Sequence, residues 1–195
     1  MDARIEKVLR DLQEEDTRDR VDGTSQALRL RAVTPEAGRF LHLMVKLTSA
    51  QRILEAGTSG GCSTIWLASA ARETGATVTT LEIDPAKIDR ARRSLAAAGL
   101  DDVVTIVEGD ANETLQSTPG SFDFIFLDVE KELYDGLLNP LVEKLRPGGV
   151  LIADNLLSHA DDLATFREHA EAHPDLECQL VPIPKGELLC RKKTK

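Results

Sequence analysis

Aromatic side chains are scarce in this chain: Phe, Trp and Tyr together make up 4% of its 195 residues, with a single tryptophan and a single tyrosine. No ligand site built on stacked rings is visible. Positive charge is also short, since 24 Lys and Arg against 33 Asp and Glu leave a formal charge of −9. A phosphate backbone is repelled at long range by such a chain unless the fold gathers a local basic patch, so nucleic acid is disfavoured as a partner. Apolar runs of the roughly 18 residues that a membrane span needs are missing, and the acidic start Met1-Asp2-Ala3-Arg4 lacks the basic region of an export signal. These absences predict a cytoplasmic protein with no membrane partner. Cysteine is limited to Cys62, Cys178 and Cys190, an odd number without CxxC spacing. This argues against a disulfide framework or a zinc site and predicts reduced thiols. No repeat, low-complexity tract or Pro/Gly/Ser-rich linker divides the chain, and 42% hydrophobic with 29% charged residues predicts one domain over residues 1–195.

What is present is a strict alternation. Ile5, Val8, Leu9 and Leu12 recur at helical spacing among charges, predicting an amphipathic helix within an N-terminal extension of residues 1–30. Its apolar stripe is available to its own domain or to a second subunit, and a homodimer is expected. Thr34 and Pro35 read as the cap and first position of a second helix running to about Leu47. Short apolar runs then follow at 52–56, 77–83, 103–108, 122–127 and 150–153, spaced by helical segments. Asp84-Pro85 opens one of those helices, Gly99 closes it, and Pro147-Gly148-Gly149 reads as a turn into the next strand. After a helix at about 160–172, two runs flanking Pro184-Lys185-Gly186-Glu187 predict an antiparallel hairpin. The expected fold is α/β, doubly wound and Rossmann-like, with a mostly parallel seven-stranded sheet.

In such a sheet, ligands sit beyond the carboxyl ends of the strands at the topological switch point. The first strand ends in Glu55-Ala56-Gly57-Thr58-Ser59-Gly60-Gly61. A dinucleotide fingerprint would need glycine at 57, 59 and 62, where the chain has Gly57, Ser59 and Cys62. Nicotinamide cofactors are thereby disfavoured. The second strand ends at Glu82, 25 residues beyond Gly57, where a carboxylate can accept hydrogen bonds from both hydroxyls of a ribose. Asp110 and Ala111 follow the third strand: Asp110 reads as a helix cap, and small Ala111 leaves room for a purine. Asp128 ends the fourth strand and Asp154-Asn155 the fifth. If those strands are neighbours, two carboxylates meet and repel unless a cation lies between them, and oxygen ligands of this kind suit Mg²⁺, Mn²⁺ or Ca²⁺. The alternative is that Asp128 caps a helix while Asp154-Asn155 form a turn.

Taken together, E-A-G-T-S-G-G-C-S (55–63), L-E-I-D (81–84), G-D-A (109–111), L-D-V-E-K-E-L-Y (127–134) and A-D-N (153–155) resemble the motifs of the metal-dependent class I O-methyltransferases that use S-adenosylmethionine. That group includes catechol and caffeoyl-CoA O-methyltransferases and their bacterial relatives. T-P-E-A-G-R-F-L (34–41) and the closing hairpin fit it too, so the resemblance covers nearly everything after about residue 30. It implies that Glu55, Gly57, Thr58 and Ser63 hold the amino-acid end of the cofactor, Glu82 its ribose, and Asp110 and Ala111 its adenine surroundings. Asp128 is implied both beside the cofactor and, with Asp154 and Asn155, as a ligand of a divalent cation, Mg²⁺ first. Lys131, expected one turn into the helix that follows the fourth strand, is implied as the general base for a small, catechol-like acceptor. Tyr134 matches the motif, but its ring is expected to pack against the sheet, and Trp66 in the core. His159 is expected in a solvent-exposed loop and Cys62 as a small pocket-lining residue. The connection after Asn155 is short, and no aromatic clamp for an acceptor is visible. tRNA methylation and cofactor binding without turnover are the competing expectations.

Overall fold

The structure is a computed structural model and describes residues 1–25 and 28–194. Helix α1 (Ala3–Val21) is capped by Asp2, whose carboxylate accepts the Arg4 amide. Its Ile5, Leu9 and Leu12 are buried in the chain's own core, so that stripe is not left for a second subunit. Helix α2 (Pro35–Leu47) starts as its sequence predicts, with the Thr34 side chain accepting from the Ala37 amide and Pro35 in the first turn.

The remaining elements alternate: β1 (Arg52–Ala56), α3 (Cys62–Thr74), β2 (Thr77–Glu82), α4 (Pro85–Ala98), β3 (Val104–Glu108), α5 (Ala111–Ser117) and β4 (Phe122–Leu127). A 3₁₀ turn (Lys131–Leu133) leads into α6 (Tyr134–Lys144), followed by β5 (Leu145–Ala153), α7 (Ala164–Ala172), β6 (Leu176–Val181) and β7 (Glu187–Lys192). The seven strands form one sheet in the order β3-β2-β1-β4-β5-β7-β6. Strands β1 to β5 pair in parallel, and β7 joins β5 and β6 antiparallel.

Alternation along the strands builds a core on each face of the sheet. Ile53, Phe124 and Phe126 point to the side covered by α1, α2 and α3, while Leu54, Ile125 and Leu127 point to the side covered by α6 and α7. A fully buried side chain of this size contributes about 1.5–3 kcal/mol, so a one-residue register slip in β1 or β4 would be costly. Trp66 lies in the first of these cores with its ring over Gly38 of α2, where no Cβ would fit. Among the described residues, no helix is long and apolar enough to cross a membrane.

Four local expectations are corrected. Strand β5 begins at Leu145, and Pro147-Gly148-Gly149 lies inside it at an irregularity where the register jumps from Phe122↔Leu145 to Phe124↔Val150. Lys131 opens a 3₁₀ turn, the α-helix beginning only at Tyr134. Helix α7 starts at Ala164, later than the polar run before it suggests. The cysteines are not all reduced: Cys178 and Cys190 are cross-strand partners of β6 and β7 and form a disulfide. Both residues lie at equal distance from the hairpin turn, and that symmetry is the signal that would have found the pair.

Candidate active site

Strand order reverses between β1 and β4, because the chain moves from β1 outward through β2 and β3 and then returns to the other side of β1. A cleft of about 1160 Å³ opens at the strand ends there. Gly57, with φ of 100°, lies beneath the Asp128 carbonyl, and the Asp128 amide donates to Ala56 O at 2.9 Å. The glycine loop and the β4 tip therefore form one wall.

Along that wall, Gly57, Thr58 and Ser63 line the cleft, as do Glu82, Asp110, Ala111, Asp128, Lys131 and Asn155. Glu82 is held by three backbone amides: Ser59 N donates to Oε2 at 2.7 Å, and Ile83 N and Asp84 N donate to Oε1 at 3.0 and 3.1 Å. A carboxylate fixed in this way keeps lone pairs for a diol without paying the entropy of being ordered. Asp110 caps α5 through the Asn112 amide at 2.8 Å, so its role as a cap and its place on the cleft wall coexist.

Glu55 is brought to the same region but not to the cleft surface. It is completely buried, its Oε2 accepts from Thr64 Oγ1 and Thr80 Oγ1, and Thr80 in turn bonds with Thr58 Oγ1 at 2.6 Å. Glu55 Oε1 has no hydrogen-bond partner. Burial outweighs the hydroxyl donors and pushes its carboxyl up to about 7. From this position Glu55 braces the glycine loop from below, through the threonines.

Beyond the β4 tip, Lys131 Nζ donates to Val129 O at 3.0 Å, Asp128 Oδ1 at 3.2 Å and Tyr134 Oη at 3.3 Å, and it stands 4.8 Å from the Tyr134 ring centre. Tyr134 is wholly buried and packs edge-on against Phe166, while its hydroxyl donates to Asp154 O at 3.1 Å. Burial raises its phenol well above the usual range, so it stays a neutral brace. Asn155, in the left-handed region at φ of 75°, donates from Nδ2 to Asp128 Oδ1 at 2.8 Å. Asp154 lies below the cleft floor, with Oδ1 accepting the Asn155 amide at 2.6 Å and Oδ2 receiving nothing.

Two residues here were not found from the sequence. Glu187, the first residue of β7, is completely buried, and neither of its carboxylate oxygens has a hydrogen-bond donor. Burial, then the negative charge of Asp154, raises its carboxyl, and burial likewise raises Asp154. Lys185, also on the cleft wall, donates to Ala32 O at 3.1 Å. Neither carries a local signal, because the β5–β7 pairing alone brings them near Asp154. At the rim, Arg31 pairs with Glu130 at 2.6 Å and His159 is exposed. Cys62 lines the cleft, and burial pushes its thiol up to about 12, so it is a filler and not a nucleophile.

Among the described residues, no three His, Cys, Asp or Glu side chains form a ready-made metal cage. Asp128 and Asp154 offer hard carboxylate oxygens, to which Asn155 could add its amide oxygen, now turned to Ser158 Oγ, and the unpartnered Asp154 Oδ2 is a buried polar atom lacking what a cation would give it. In those two respects the set fits a divalent ion.

Comparison with known proteins now bears on this geometry. A family model described as O-methyltransferase matches residues 3–193. The chain belongs to the O-methyltransferase family. It is 40% identical over 134 residues to a protein of Mycobacterium tuberculosis named catechol O-methyltransferase, covering 68% of this chain and 60% of that one. A protein of the same name from Niastella koreensis is 38% identical over 130 residues, covering 65% and 58%. The alignments thus span less than two thirds of either relative. An O-methyltransferase from Bacillus cereus, solved in complex with SAH (S-adenosylhomocysteine), superposes with a TM-score of 0.83 at 29% identity, covering 99% of this chain and 92% of that one. The seven-stranded sheet thus lies in a chain that superposes over nearly its whole length on a relative solved with SAH.

Proposed function

We propose that this chain, as one catalytic domain, transfers the methyl group of S-adenosylmethionine to a hydroxyl of a small, catechol-like acceptor with the assistance of a divalent cation, Mg²⁺ first. The observation that carries this reading is the placement of Lys131 Nζ 3.2 Å from Asp128 Oδ1, in the same cleft as Glu82 and the glycine loop. A candidate base and a candidate cation ligand thus share one cleft with the carboxylate set for a ribose. The relatives named catechol O-methyltransferase and the SAH-complexed neighbour support the acceptor and cofactor classes respectively.

The cofactor supplies a methyl group on a positively charged sulfur. A divalent cation at Asp128, Asp154 and Asn155 would supply Lewis acidity toward the acceptor oxygen. The chain does the rest. Glu82 anchors the ribose, and the tight approach of Gly57 to Asp128 sets the distance between cofactor and acceptor sites. Once it has released a proton to solvent through the cleft, Lys131 takes the hydroxyl proton onto Nζ, the oxygen forms its bond to the methyl carbon, and the carbon–sulfur bond breaks to leave a neutral thioether. Holding the oxygen in line with the methyl group contributes much of the acceleration.

Among the described residues that line the cleft there is no Phe, Tyr or Trp, so the acceptor is oriented through its oxygens and not by stacking. Acidic Glu82, Asp84, Asp110 and Glu132 interrupt the basic residues of the same wall, which is a poor surface for RNA. Methylation of catechol, followed with methyl-labelled S-adenosylmethionine, is expected with Mg²⁺ and abolished by a chelator. Full activity after thorough chelation removes the cation from the proposal, and no product with any vicinal diol removes the acceptor class.

A further inference from the structure

Lys185 is held more firmly than a surface lysine needs. It lies in the turn between β6 and β7, where its carbonyl accepts from Leu157 N at 2.8 Å and Ser158 N at 3.0 Å, while Leu156 N donates to Gly186 O at 2.9 Å. Gly186 has φ of 82°, and a Cβ there would lie 2.6 Å from Leu157 N. The turn is therefore locked onto the loop that follows Asn155. The backbone in this way fixes a cation on the cleft wall, at the end that holds Asp128 and Asn155.

Two other cations on this wall have carboxylate partners: Arg31 pairs with Glu130 and Lys131 with Asp128. Lys185 makes no ion pair with a described residue, and its ammonium spends one of three protons on Ala32 O at 3.1 Å. Burial raises the Asp154 and Glu187 carboxyls, and the Lys185 charge opposes that rise without bonding to either. Balancing those two groups is the rival account of the lysine. From the cleft wall, however, the same charge also acts on whatever enters. While the cleft is open to solvent, water meets the remaining protons. A neutral acceptor displaces that water and returns nothing, whereas an anionic one restores the bonds. Resting on the methyl-transfer reading above, we propose that Lys185 is a specificity-determining residue of the acceptor site, and that the acceptor is a catechol bearing a carboxylate. The vicinal oxygens meet the end of the cleft that holds Asp128, Lys131 and Asn155, and the carboxylate meets Lys185 Nζ.

The test compares a dihydroxybenzoate and a dihydroxyphenylacetate, both with vicinal hydroxyls, against uncharged catechol, using the full chain with saturating S-adenosylmethionine and Mg²⁺. The parent is expected to prefer at least one carboxylated acceptor in kcat/KM. Lys185→Met should cut that preference by about 10–100-fold, chiefly through KM, the range for a hydrogen bond to a charged group. Lys185→Arg, which keeps the charge, should recover part of it. Calorimetric titration of the preferred acceptor into the S-adenosylhomocysteine complex should show the same loss without turnover. Lys185→Gln serves if the Met variant does not fold. A parent without the preference overturns the inference alone, because catechol methylation still stands. So does a folded neutral variant that keeps the parental preference, whether it loses turnover on all acceptors, as charge balancing predicts, or affinity for S-adenosylhomocysteine, as an anion site for the cofactor predicts. A parent that methylates none of the three acceptors overturns the inference and the reading beneath it together.

Discussion

Gly57 and Asp128 meet backbone to backbone: a Cβ added to Gly57 would collide with the Asp128 carbonyl, and the φ of 100° is one that side chains rarely adopt. The loop expected to hold the cofactor and the loop carrying the expected base are thus locked together by the absence of one carbon. Gly57→Ala should lower stability by about 2–4 kcal/mol and displace the β4 tip. Urea unfolding and calorimetric titration with S-adenosylhomocysteine check it together. Parental values for both would show that the approach is looser than drawn.

The carboxylate of Glu82, fixed by three amides, is set for a ribose. S-adenosylhomocysteine at 100 times its Kd should stabilise the protein by about 2.7 kcal/mol, visible as a raised Tm. NAD⁺ should produce no shift, since Ser59 and Cys62 stand where its fingerprint needs glycine. A shift with NAD⁺ alone would redirect the cofactor assignment.

Lys131 is tied to Asp128, Val129 and Tyr134 and lines the cleft. Lys131→Met keeps the stem over the Tyr134 ring and removes the proton acceptor. With saturating cofactor and cation, kcat should fall by about 10²–10⁴-fold, while S-adenosylhomocysteine affinity stays within about twofold, on the order of 0.4 kcal/mol. Turnover at the parental rate would make Lys131 a brace for Asp128 and nothing more.

Burial raises the Glu55 carboxyl to about 7 from its ordinary value of 4.5. Because the folded-state value lies above the unfolded one, its contribution to stability is fully present below about pH 4.5 and is lost as pH rises through about 7. The loss is on the order of 3 kcal/mol at 1.36 kcal/mol per unit. Glu55→Gln cannot ionise, so its stability should fall less between pH 5 and pH 8 than the parent's, in paired urea titrations. Parallel curves would place the Glu55 ionisation below that window.

Much of this molecule was legible in one dimension. The two-residue alternation of Phe124 and Phe126 against Ile125 and Leu127, and the capping pairs Thr34-Pro35 and Asp84-Pro85, are local signals with local causes. The expectation that the tips of β4 and β5 lie side by side agrees with the pairing of Leu127 and Ala153. The 3₁₀ turn at Lys131 was missed because one extra or missing hydrogen bond at a helix start leaves the apolar period unchanged.

The sequence by itself determined which residues form strands and helices, and which polar residues stand at strand ends, because side-chain periodicity and capping act over a few positions. Tertiary structure decided the rest. Antiparallel insertion of β7 between β5 and β6 placed Glu187 against Asp154 and Cys178 against Cys190. The packing of α3 over β1 and β2 sank Glu55 beneath the cleft it seemed to line. Those outcomes depend on which strand lies beside which, and on how deeply each tip is covered, and hydrogen bonds between distant segments set both.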